Sequence, residues 1–120
     1  MITEQEVKRA YENVLTATAL TQTAGFEYEL AKEKLEVEVL KATADGRVVG
    51  SNDGARKAAA LVLFEKQYTL KDELEALYKQ KSNELALERI HLDCLRDCIR
   101  IEELAKYLEV SFPSRLSKSE

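Results

Sequence analysis

Apolar residues recur along this chain at intervals of three, four and seven, the spacing that aligns side chains on one face of an α-helix. Between residues 3 and 44 a heptad runs through Val7, Val14, Thr21, Tyr28 and Leu35, with Ala10, Ala17, Ala24 and Ala31 as its companion positions. Alanine at four successive d-type positions lets a second helix axis approach closely, so the stripe predicts tight helix packing. Thr3 with Glu6 forms a capping box ahead of it, and Ile2 and Val7 occupy the positions of a hydrophobic staple. Gly25 lies beside the seam and costs about 1 kcal/mol relative to alanine, which marks a bend or a close contact there.

The periodicity stops at residues 45–52, Asp-Gly-Arg-Val-Val-Gly-Ser-Asn, where the glycines end one helix and Ser51 or Asn52 caps the next. Asp53 then favours the positive first turn. Residues 58–64 (Ala-Ala-Ala-Leu-Val-Leu-Phe) are apolar throughout, which a single helical face cannot accommodate. This second helix, with Leu61 and Phe64, is expected to be buried from more than one direction. A continuous helix over 53–110 would extend roughly 85 Å, far past the first helix. A break is therefore expected near 67–69, with Thr69 as N-cap and Asp72 at N3.

The third helix carries two stripes. One runs through Leu70, Leu74, Leu77, Tyr78, Leu85, Leu92, Leu95 and Ile99. The other runs through Leu87, His91, Cys94, Cys98, Ile101, Ala105 and Leu108, roughly 120° away at about 100° per residue. Two stripes imply two partners, only one of which the first helix can supply. The expected fold is all-α: a long antiparallel, coiled-coil-like hairpin with a short buried helix after the connecting loop. It forms one domain over 1–110, with helices at about 3–44, 53–66 and 69–110 and a flexible tail over 111–120. The surplus apolar surface predicts a homodimer.

Composition narrows the function classes. The 120 residues are 33 % charged and 45 % hydrophobic, with 18 basic against 22 acidic side chains, a formal charge of -4. Without a basic excess, nucleic acid is disfavoured as a partner. The seven-residue apolar run falls well short of the ~20 residues that span a bilayer, and residues 1–6 lack the signature of a signal peptide. Cys94 and Cys98 lie four apart on one helix, a poor geometry for a disulfide, so the expected location is the cytoplasm.

His91, Cys94 and Cys98 share a helical face and are the residue types that bind zinc. The chain holds no other Cys or His to complete a tetrahedral shell, so packing at an interface outweighs metal binding, with His91 as a polar interruption that sets register. A Cys–His nucleophile would lack an oxyanion hole. The carboxylates lie on faces that read as solvated, in pairs such as Glu4 with Lys8, Glu75 with Lys79 and Glu102 with Lys106. Gly46, Gly50 and Gly54 lack the Lys-Ser/Thr of a P-loop. Asn52 and Arg56 read as a loop clamp, Arg56 reaching loop carbonyls or acids late in the first helix. No cofactor is implied, and no catalytic residue.

Asp45, Gly46, Gly50, Asn52 and Arg56, followed by Ala58, Ala59 and Ala60, form an Asp-Gly-x-x-x-Gly-x-Asn-x-x-x-Arg turn ahead of an alanine-rich helix. Over some 30 residues this resembles small helical proteins found in phage and prophage genomes, with Ala55 standing where that pattern usually has Glu. The resemblance implies an accessory protein, located in the host cytoplasm, and supplies no catalytic residue. The expected function is thus a non-enzymatic protein–protein interaction protein, such as an inhibitor of a host protein. The alternatives are a self-assembling structural component, or a binder of a small ligand or nucleotide at the loop or a dimer interface.

Overall fold

A computed structural model describes residues 1–111, with side chains to residue 110. The expected tail beyond Ser111 lies outside the described residues, and Ser111 itself closes a helix. The chain is all-α, with α1 (Glu4–Ala44), α2 (Asp53–Leu63) and α3 (Glu65–Ser111). The long helices α1 and α3 form an antiparallel hairpin, and α2 is the short helix after the connecting loop. The fold comprises two compact units, a terminal unit of Met1–Thr18 with Glu84–Glu120 and a loop unit of Ala19–Asn83.

In the loop unit, α1 ends where its heptad ends. Gly46 adopts φ 78°, and its N–H donates to Thr43 O at 3.2 Å while Arg47 N–H donates to Ala42 O at 2.9 Å. These paired bonds close the helix in a Schellman motif. Val48 follows, its N–H also donating to Ala42 O at 3.1 Å, and its side chain is buried. Gly50 then passes so close to α2 that a Cβ there would stand 2.7 Å from the Arg56 backbone nitrogen. Asn52 caps α2 from an extended conformation, its side-chain oxygen accepting the Ala55 N–H at 2.8 Å.

The junction between α2 and α3 departs from expectation. Thr69 and Asp72 lie inside α3, and the chain leaves helical geometry at the single residue Phe64, with φ -114° and ψ 33°. Phe64 N–H still donates to Ala60 O at 2.9 Å, and Tyr68 N–H to Phe64 O at 3.0 Å, so the backbone bends without losing its bonding on either side. Phe64 is buried with Leu35, Ala42, Val48 and Ala60, and Val39, Ala59 and Tyr68 pack against this cluster. Burying that ring stabilises the unit by roughly 1.5–3 kcal/mol. The apolar run of α2 is not enclosed from several sides as expected. Ala60 and Phe64 are buried, while Leu61, Val62 and Leu63 are 51 %, 81 % and 45 % exposed.

Farther along the loop unit, α1 and α3 meet directly. The α1 seam lies inward as its heptad predicts: Ala24 and Leu35 are buried, and Thr21, Tyr28 and Ala31 are half-buried. Gly25 marks a close contact rather than a bend, because an added Cβ would lie 3.1 Å from the Tyr78 ring. That ring stacks on Tyr28 with centroids 6.2 Å apart. Thr21 donates its hydroxyl to Lys81 O at 3.0 Å.

In the terminal unit the capping box forms as read. Thr3 Oγ1 accepts the Glu6 N–H at 3.1 Å, and the Glu6 carboxylate accepts the Thr3 N–H at 3.3 Å. Ala10, Leu85 and Leu92 are buried, and Val7, Val14, Ala17, Leu95 and Ile99 are half-buried. Glu102 accepts the Ile2 N–H at 3.1 Å, and Arg96 lies 5.1 Å over the Tyr11 ring while donating from Nε to its hydroxyl at 3.0 Å.

Candidate interaction surface

The second stripe of α3 belongs to none of the chain's own core. Leu87 is 66 % exposed and Ile101 67 %, and His91, Cys94, Cys98, Ala105 and Leu108 are exposed with them. Both cysteines are free thiols. Among the described residues no group of three His, Cys, Asp or Glu side chains is placed to hold a metal ion. His91, Cys94 and Cys98 therefore share an outer face, as read from their spacing, and no other element among the described residues covers it.

Two residues of this surface escaped the sequence reading. Ile90 is 58 % exposed and Leu104 59 %. Counting three rather than four from Leu87 leads to Ile90 instead of His91. The resulting series, Leu87, Ile90, Cys94, Asp97, Ile101, Leu104 and Leu108, carries five large aliphatic side chains where the stripe first drawn carries three. At about 100° per residue its centre lies about 180° from that of Leu85, Leu92, Leu95 and Ile99, the inward face of the same helix segment. The 3,4 periodicity carried the signal, and the conspicuous His and Cys residues drew the stripe one position aside.

The loop unit has its own exposed apolar groups. On α1, Phe26 and Leu40 are each 69 % exposed, and Leu30 and Val37 are 42 % and 48 % exposed. On α2, Leu61, Val62 and Leu63 add to these. A groove of about 480 Å³ runs between Lys32, Leu35, Val39 and Leu40 on α1 and Tyr68 and Lys71 on α3. Lys71 Nζ sits 5.4 Å over the Tyr68 ring, so one of the groove's two cations is held by the wall itself.

The loop clamp works differently from its reading. Asn52 caps α2 as expected, but Arg56 turns to Asp53 of its own helix rather than to loop carbonyls or to the end of α1. That pairing holds the Asp53 carboxyl below its ordinary value, chiefly through the hydrogen bond and then through the charge of Arg56. At this helix start the Asn52 side chain takes the Ala55 N–H, and Asp53 places a carboxylate of the chain's own in the positive first turn. On α3, Glu75 and Lys79 pair at 3.0 Å as their spacing predicts, lowering the carboxyl pKa and raising that of the ammonium.

No helix among the described residues is long and apolar enough to cross a membrane. No protein-family model, curated protein or solved structure matches the chain.

Proposed function

We propose that this chain is a non-enzymatic interaction protein that acts by presenting helix faces to other protein chains, itself included, as a homodimer. The observation that carries this reading is the outer face of α3, where Leu87, Ile90, Ile101 and Leu104 are each more than half exposed. Contiguous exposed apolar groups on a soluble helix mark a contact surface. The exposed Phe26, Leu30, Val37 and Leu40 of α1 and the Leu61, Val62 and Leu63 of α2 offer further surface for a second protein. The engagement of Asn52 and Arg56 in capping and pairing favours binding over catalysis or ligand capture at the loop. The resemblance of the Asp45–Arg56 turn to phage and prophage proteins makes an accessory factor or inhibitor of a host protein the concrete version, working in the host cytoplasm. The free thiols Cys94 and Cys98 suit that compartment.

The test is affinity capture of the tagged protein from a bacterial lysate, run beside a Phe26→Asp, Leu40→Asp variant. Both side chains are exposed, so the variant retains its fold. A stoichiometric protein recovered by the parent chain and lost by the variant is the expected result. Recovery of the parent alone, together with a monodisperse monomer at tens of micromolar, overturns the reading.

A further inference from the structure

Resting on that interaction reading, we infer that the outer face of α3 from Leu87 to Leu104 pairs antiparallel with the same face of a second copy of this chain. The register is a specific one. Leu87, Cys94, Ile101 and Leu108 occupy a positions, and Ile90, Asp97 and Leu104 occupy d positions, of a heptad lying entirely within the terminal unit. In an antiparallel coiled coil an a residue faces a d residue across the seam. Placing Leu87 against the second copy's Leu104 sets Ile90 against its Ile101 and Cys94 against its Asp97, and two-fold symmetry repeats each layer. Four aliphatic layers then flank a short polar centre.

Charge selects the second copy and this register. In antiparallel pairs the g positions of one helix meet those of the other, and here g positions are Asp93 and Arg100. The register brings Asp93 to the second copy's Arg100, and Arg100 to its Asp93, giving two reciprocal ion pairs. Both side chains are open to form them, with Asp93 70 % and Arg100 81 % exposed and, among the described residues, each in a long 3.9 Å ion-pair contact. A shift of one heptad in one direction sets Arg100 against Arg100 and Ile101 against Asp97. A shift in the other sets Asp93 against Asp93 and leaves Leu104 uncovered. A parallel pairing puts Asp97 against Asp97 in the seam. Each alternative places like charges in apposition, which is destabilising. The Leu–Leu and Ile–Ile layers and the opposite charges coincide in one arrangement only. The centre is two polar layers, Asp97 against the second copy's Cys94 and the reverse, which sets the two Asp97 carboxylates in neighbouring layers at a like-charge cost that the four aliphatic layers and the two ion pairs offset.

The experiment is sedimentation equilibrium of the full chain, with circular dichroism to check that each variant stays helical. The parent is expected to dimerise, and Ile101→Asp, at a site 67 % exposed in the single chain, to be monomeric where the parent is dimeric. Arg100→Asp is expected to weaken the dimer about tenfold by replacing two attractions with two repulsions. Asp93→Arg combined with Arg100→Asp restores the dimer, because the exchanged charges again meet their opposites. Failure of the exchange to restore it overturns the register. An Ile101→Asp variant that dimerises like the parent overturns this face as the contact. A monomeric parent that still captures another protein overturns the self-pairing and leaves the interaction reading standing; a monomer that captures nothing removes both.

Discussion

The two units of this chain use the same two helices and differ in what the third element provides. In the loop unit, α2 and Val48 stand over the seam between α1 and α3, and Leu35, Ala42, Val48, Ala60 and Phe64 enclose one another. Among the described residues of the terminal unit, α1 and α3 are the two elements present. Each buries one narrow stripe, so Ala10, Leu85 and Leu92 are buried while Leu87, Ile90, Ile101 and Leu104 stay exposed. A pair of helices has a seam, and three elements have an interior. The third element gives the loop unit an enclosed cluster without covering all of its apolar surface, since Phe26, Leu40, Leu61 and Val62 stay exposed there as Leu87 and Ile101 do in the terminal unit.

That contrast can be broken by mutation. The largest effect is expected at Phe64, where truncation to alanine opens the enclosed cluster and costs about 3–5 kcal/mol. Leu87→Ala on the outer face of the terminal unit should leave the monomer within about 0.5 kcal/mol of the parent. Urea denaturation at low protein concentration compares the two, and equal losses would show that the loop unit is no better enclosed. Gly46→Ala probes the turn that brings Val48 into the cluster. A side chain at φ 78° costs roughly 1–2 kcal/mol, read from the same denaturation midpoints. The smallest effect is electrostatic. Because Arg56 depresses the folded pKa of Asp53, the pair adds stability above the ordinary value of 3.8 and loses it as pH falls through the folded value. Carboxyl titration by NMR should place Asp53 below 3.8 in the parent and return it toward 3.8 in Arg56→Leu.

Much of the architecture was legible in single residues. The heptad from Val7 to Leu35 and its alanine companions marked the face that α1 turns inward, since a stripe at that spacing has one side on which to be buried. Gly46, Gly50 and Asn52 marked a turn because positive φ, close backbone approach and N-capping each demand a particular residue type. The candidate surface was half legible. The existence of an outer stripe on α3 followed from spacing, but Ile90 and Leu104 were missed, since His91, Cys94 and Cys98 read as chemistry and fixed attention one position aside.

The sequence by itself determined the helices, their caps and the inward face of α1, because those depend on neighbours a few residues away along the chain. Tertiary structure alone decided where α2 gives way to α3. No glycine, proline or strong cap stands at Phe64, and the capping signal at Thr69 and Asp72 lies within continuous helix. The bend sits at Phe64 because its ring is buried with Leu35, Ala42 and Val48, residues distant in sequence that the Gly46 turn brings together. Tertiary structure also decided which apolar residues stay outside. Leu61, Val62 and Leu63 belong to the same unbroken apolar run as Ala60 and Phe64, and only the direction of packing separates the exposed from the buried.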